Sequence, residues 1–303
     1  MLTPVRVYPR RPSVRHLAGV LLLLLCSRLI GCDRRSDAPP EVIKLRVLCS
    51  VYPLADVVRQ VAGQRVDLES FCENGQDPRD LRLSDAQKKH AHQADLIITS
   101  GFRELWAGDI LDSRQQALRL LQPDSTPTGR ELPDTHGALW LDPQITKEIA
   151  ELLRLRLTQF DTAHETEYRQ NYDAFVKEVD AVDADYRKRL KPYSGRPFLA
   201  LRPTWGTLAE RYNLEEIAPL NTDPRKLTDA DVRKLKDIAT ERGTDLLVID
   251  AALLPGVQRE LQLRTGLRLL PLDPLGSSAP DGRSTWVRLM RYNLDQLVNG
   301  LKE

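Results

Sequence analysis

No catalytic signature stands in this chain. It has no G-x-S-x-G elbow, no Walker phosphate loop and no metalloprotease helix, so it is not read as an enzyme. Basic blocks interleaved with aromatic residues are missing, and aromatics make up only 6% of the chain, so nothing points to nucleic acid. Internal repeats and low-complexity segments are absent. Cysteine is scarce: of four, Cys26 and Cys32 lie near the start, which leaves Cys49 and Cys72 for at most one later bridge. The apolar run 17–25 is too short for a comfortable membrane span. Residues 1–31 contain no acid and five arginines, so the rest of the chain is net acidic although the formal charge of the whole is +1.

What is present is ordinary globular material, 41% apolar and 29% charged, in 303 residues, a length that suits two domains. The N-terminus reads as an address. Arg6, Arg10, Arg11 and Arg15 precede the short apolar run, and Leu29-Ile30-Gly31-Cys32 resembles a bacterial lipobox. That motif implies cleavage before Cys32 and lipidation of Cys32. Residues 1–31 are then a signal peptide, and 32–43 a tether that holds the protein at the extracytoplasmic face of the membrane.

Beyond the tether, strand and helix patterns alternate. Residues 45–49, 65–72 and 96–100 read as strands, with helices between them, and this rhythm implies a parallel sheet. A second set follows from residue 197. Between the sets, Tyr168, Tyr172, Phe175, Val179, Val182, Tyr186 and Leu190 recur in steps of three and four, so 162–190 reads as one long helix, with Thr162 and Glu165 spaced as a capping box. The fold class expected is α/β: two lobes, each a parallel sheet flanked by helices, bridged by one long rigid helix, with a cleft between them. The boundaries are 44–161 for the first lobe, 162–191 for the bridge and 192–303 for the second lobe.

Several motifs sharpen this. The strand running into Tyr52-Pro53-Leu54-Ala55-Asp56, then Gly63-x-Arg65-Val66, Gly75-x-Asp77-Pro78, Ala94-Asp95-Leu96, Trp140-Leu141-Asp142-Pro143, Arg211-Tyr212, Asp273-Pro274-Leu275 and the closing Met290-Arg291-x-Asn293-Leu294 are all present. Together they resemble the solute-binding lipoproteins of zinc and manganese ABC transporters, over nearly all of 44–302. The resemblance implies capture of a small inorganic solute, zinc or manganese, in the cleft, and delivery to an ABC permease and its ATPase.

The resemblance breaks at the ligands. That family holds its metal with three histidines and one carboxylate. Matched residue by residue, the histidine positions are Arg79, Ala138 and Arg202 here, and only the carboxylate, Asp273, remains. A guanidinium has no lone pair to donate, and a divalent ion about 5 Å from one is repelled by roughly 7 kcal/mol at an effective dielectric of 20. Three readings stay open. Replacement ligands, His136 with Asp250 and Asp273, make an oxygen-rich site suited to manganese. Arg79 and Arg202 alternatively receive an anionic solute. In the third, Asp273 pairs with Arg79 or Arg202 in a vestigial site, on a structural or adhesive lipoprotein. Cys49 and Cys72 end adjacent strands and are candidates for a disulfide, for two buried thiols or for a thiolate metal pair.

Overall fold

The computed structural model describes residues 44–72, 76–100, 104–107, 110, 117–119, 138–278 and 283–302. His136 and Cys32 lie outside the described residues.

The first sheet is built from β1 (Leu45–Val51), β2 (Val66–Cys72), β3 (Leu96–Thr99) and β4 (Ala117–Arg119), in the order β2-β1-β3-β4 and all parallel. Helix α1 (Tyr52–Ala62) joins β1 to β2, and α2 (Asp85–Ala91) precedes β3. Each helix has a local reason to start and stop. Pro53 stands in the first turn of α1, and Gly63 ends it at φ +59°, a backbone that side chains other than glycine adopt at a cost. Ser84 caps α2 through a reciprocal box with Gln87. Asp142 caps α3 (Pro143–Phe160) by accepting from the Gln144 and Ile145 N–H groups, with Pro143 at the first helical position.

The second sheet repeats the plan. Strands β5 (Pro197–Ala200), β6 (Glu215–Ile217), β7 (Leu246–Asp250) and β8 (Arg268–Leu272) run parallel in the order β6-β5-β7-β8. The short strands β4 and β6 were not visible in the sequence pattern, being three residues each. Around this sheet lie α5 (Gly206–Arg211), α6 (Asp229–Arg242), α7 (Pro255–Thr265) and the final α8 (Trp286–Lys302). Strand alternation divides its apolar residues into two sets. Leu199, Leu201, Leu247 and Ile249 belong to a small separate core. Phe198, Ala200, Leu246, Val248, Leu270 and Leu272 join a large core shared with the first sheet, α1, α3 and α8.

The bridge, α4 (Glu165–Leu190), buries Tyr168, Phe175, Val179, Val182, Tyr186 and Leu190 into that shared core, as its 3.6-residue pattern implies. Its start differs from expectation. Residues Thr162–His164 form a separate 3₁₀ turn, and His164, with no capping side chain, precedes the α-helix. The capping box between Thr162 and Glu165 does not form. Asp161 instead accepts from Tyr168 Oη at 2.8 Å and meets His164 Nδ1 at 2.7 Å, which draws the chain into the tighter turn.

One half of α4 is tied to each lobe. Near its start, Asn171 Nδ2 donates to the Val61 carbonyl at 3.1 Å, and Glu167 pairs with Arg65 at 2.8 Å. Near its end, Asp183 accepts from Arg211 Nε at 3.1 Å and Tyr212 Oη at 2.9 Å, while the Tyr186 ring stacks on Tyr212 with centroids 4.8 Å apart. A helix held at both ends by packing and hydrogen bonds acts as a strut, so large hinge motion between the lobes is resisted.

Candidate functional site

In open parallel sheets, ligands meet the loops that leave the carboxyl ends of the strands. Here such loops from both sheets border one cavity of about 350 Å³. The first lobe supplies Asp77, Pro78, Arg79 and Asp80, after β2. The second supplies Arg202 after β5, Asp250 at the end of β7, and Pro274 and Leu275 after β8. Ala138, Trp140 and Trp205 complete much of the apolar wall.

The two arginines at the expected ligand positions do face the cleft, but not as a pair of free cations. Asp77 turns back on its own loop and accepts from the Arg79 backbone N–H at 2.9 Å. Its carboxylate also takes Arg79 Nε at 2.8 and 3.0 Å and Nη2 at 2.7 Å, a bidentate fork. From the opposite lobe, Arg202 Nη1 donates to Asp77 Oδ2 at 2.8 Å and to Asp80 Oδ2 at 3.0 Å. Arg79 Nη1 reaches back to the Pro203 carbonyl at 3.4 Å. Two guanidiniums and two carboxylates thus clasp the lobes across the cleft. Burial pushes the Asp77 carboxyl up, but the Arg79 and Arg202 charges outweigh it and hold the group below its usual range.

Ala138, the third substituted position, is buried and its backbone works across the cleft: its N–H donates to the Thr204 carbonyl at 2.9 Å and its carbonyl accepts from Thr207 Oγ1 at 3.2 Å. Trp140 Nε1 donates to the Pro274 carbonyl at 2.6 Å, and the Trp140 carbonyl accepts from Trp286 Nε1 at 2.7 Å.

Asp273 does not pair with Arg79 or Arg202, and that expectation is corrected. Arg283 Nε lies 3.1 Å from its Oδ2, while Oδ1 accepts from the Leu275 and Gly276 N–H groups at 2.9 and 2.8 Å. The backbone of Asp273 is fixed on both sides by the Asn293 amide, at 2.8 and 2.7 Å. Arg283 comes from just before α8, ten residues beyond Asp273.

Asp250 is different. Among the carboxylates lining the cavity, Asp77, Asp80 and Asp223 each have a guanidinium partner. Among the described residues, the Asp250 carboxylate accepts from the Ala252 N–H alone, at 2.8 Å. Burial, with the charges of Asp273 and Asp77 nearby, raises its pKa to about 6. The sequence marks Asp250 as a strand-end carboxylate; which carboxylates find a guanidinium is set by the folded cleft. Among the described residues, no group of three or more His, Cys, Asp or Glu side chains is arranged to hold a metal.

Cys49 and Cys72 are free and buried, so the disulfide does not form. The register places Cys49 beside Ser70 and Cys72 beside Val51. That diagonal offset of two residues separates the Cα atoms by about 8 Å, outside the reach of a disulfide. Burial pushes both thiols up, Cys72 to about 12.

Two parallel sheets of matching order, a helical strut and a solute-sized cavity where the strand ends meet define a two-lobed solute-binding protein. The family model for the periplasmic component A of the zinc-uptake complex, ZnuA, matches residues 47–300, and the chain belongs to that family of solute-binding components of metal-cation importers. The metal ABC transporter substrate-binding lipoprotein SsaB of Streptococcus sanguinis is 21% identical, over 93% of this chain and 97% of that one. The iron-binding protein YfeA of Yersinia pestis is 24% identical, over 93% and 95%. Among solved structures, the periplasmic zinc binding protein TroA of Treponema pallidum superposes with a TM-score of 0.73 at 17% identity, covering 85% of this chain and 99% of that one. The family places the protein outside the cytoplasm, and no helix among the described residues is long and apolar enough to cross a membrane.

Proposed function

We propose that this protein captures a divalent metal, zinc or manganese, in the interlobe cavity and delivers it to an ABC permease and its ATPase, tethered to the membrane through lipid on Cys32. The observation that supports this most is Asp250, a half-buried carboxylate lining the cavity with no guanidinium partner among the described residues. A divalent cation displaces its proton readily and supplies the charge its surroundings lack. The register sets Asp250 beside Leu272, so Asp273 follows on the neighbouring strand and becomes a second oxygen donor once Arg283 yields. His136, outside the described residues, is the imidazole this reading adds. Two or three oxygen-weighted donors favour manganese over zinc. Titration of zinc and of manganese against melting temperature tests the reading. A metal at 100 times its dissociation constant stabilises by about 2.7 kcal/mol, and Asp250→Asn abolishes that shift. No shift with either metal overturns the proposal.

A specific observation favours a second reading. Arg79 and Arg202 stand where the family has histidines and engage Asp77 and Asp80 instead. On that reading the clasp has replaced the metal site, and the scaffold serves an anionic solute or a non-transport role such as adhesion. Stabilisation by inorganic phosphate without any response to metal selects the anionic version. Silence towards both selects the non-transport one.

A further inference from the structure

The cavity is far larger than a bare ion needs. A metal enclosed by protein ligands at about 2.0–2.3 Å fills a space near that of one water molecule, about 30 Å³. The cavity holds about 350 Å³, within the range of sites for small organic molecules. Much of its wall is apolar, from Trp140, Leu201, Trp205, Ile249 and Leu275.

Two polar groups on this wall have capacity left. Asp250 uses one oxygen on the Ala252 N–H, and its Oδ2 has no partner among the described residues. Arg202 uses Nη1 on Asp77 and Asp80, and its Nε and Nη2 have no protein partner among the described residues. The remaining edge of that guanidinium is a planar two-donor fork of the kind that matches a carboxylate. Both residues leave paired strands at the same end of the sheet: β5 and β7 pair with Ala200 beside Val248, Arg202 lies just beyond β5, Asp250 is the last residue of β7, and both line the cavity.

An acceptor for a cation beside a donor for a carboxylate describes one kind of ligand. We propose that the cargo of this cavity is a divalent metal carried as its complex with a small polycarboxylate, the metal meeting Asp250 and a chelator carboxylate lying along the Nε–Nη2 edge of Arg202. The inference rests on the metal-capture reading above and specifies the form in which the metal arrives. It also removes the conflict posed by the arginines. A bare divalent ion is repelled by a guanidinium, whereas a carboxylate of a metal-bound chelator is attracted to it.

The purified protein is titrated by calorimetry with manganese alone, with citrate alone and with the one-to-one manganese–citrate complex. The complex is expected to bind at least about tenfold tighter than the bare ion, as one charge-assisted carboxylate fork supplies. Excess citrate then leaves the metal on the protein. Arg202→Lys keeps the charge that holds the clasp but loses the fork, and narrows the gap between complex and bare ion to about threefold or less. If excess citrate strips manganese in step with the fall in free ion, the bare ion is the cargo: the chelate inference fails and the metal-capture reading stands. If neither manganese nor its complex binds, both fail. If citrate alone binds as tightly as the complex, the metal is not recognised and the inference is overturned.

Discussion

Replacing Asp77 by asparagine tests the clasp directly. One oxygen of Asp77 accepts from Arg79 Nη2 at 2.7 Å and from Arg202 Nη1 at 2.8 Å, so the two cations approach to about 5 Å with the carboxylate between them. Without its charge they repel by about 3 kcal/mol at an effective dielectric of 20. The arginine side chains are only 15% and 20% exposed, so solvent relieves part of this and leaves it substantial. With the loss of charge-assisted hydrogen bonds, Asp77→Asn should cost about 2–3 kcal/mol. In a chain of this size that lowers the melting temperature by about 4–8 °C. The double variant Asp77→Asn, Arg202→Gln should recover at least about 1 kcal/mol of the loss, because it removes one of the two opposed charges. The Asp77 carboxyl is held below its unfolded value, so its contribution is complete above about pH 4 and is lost as pH falls through the folded value. Wild type and variant should therefore converge in acid. Denaturant melts of the two single variants and the double variant measure the cycle. A single-variant loss under about 0.5 kcal/mol, or simple additivity in the double variant, would refute the clasp as an electrostatic unit.

Asp250→Asn should stabilise the metal-free protein at pH 8 by up to about 3 kcal/mol and do little at pH 4. Its folded value near 6 lies above the unfolded one, so stability falls as pH rises between the two; melting curves at both pH values read the difference. Gly276→Ala should destabilise by more than about 1 kcal/mol. Glycine there sits at φ +60°, and an added Cβ would stand 2.9 Å from the Arg283 carbonyl; a thermal melt checks it. Cys49 and Cys72 should resist a thiol reagent at pH 8 in the native protein and both react in denaturant, since each is buried and unpaired. Reaction at the native rate of a free thiol would contradict their burial.

The fold was legible in the sequence because its signals are local and periodic. The apolar steps of α4, the Asp142–Pro143 start of α3, the Ser84 cap of α2 and the Gly63 end of α1 are all short-range signals, and the structure contains each of them. The start of α4 was not, because Asp161 found better partners in His164 and Tyr168 than a capping box offered Thr162. The site was half legible. Arg79 and Arg202 were placed in the cleft by motif, but while Arg79 pairs with Asp77 two residues away, Arg202 finds Asp77 and Asp80 across 125 and 122 residues of chain. Arg283 at Asp273 is only ten residues away yet was hidden too: no periodicity in a sequence reports which of several cations will reach a buried carboxylate.

The shared core has a consequence for how the molecule can be cut. The last helix, α8, packs on β8 of the second sheet, on α4 and on α1 of the first lobe. Asp56 of α1 accepts from the Trp286 N–H at 2.7 Å, so the first lobe even supplies the start of the final helix. Neither lobe therefore owns a complete interior. A fragment ending before residue 286 would leave the apolar side of both halves uncovered, and a domain expressed alone would be a fragment rather than a module. The seventeen residues of α8 thus close both halves at once.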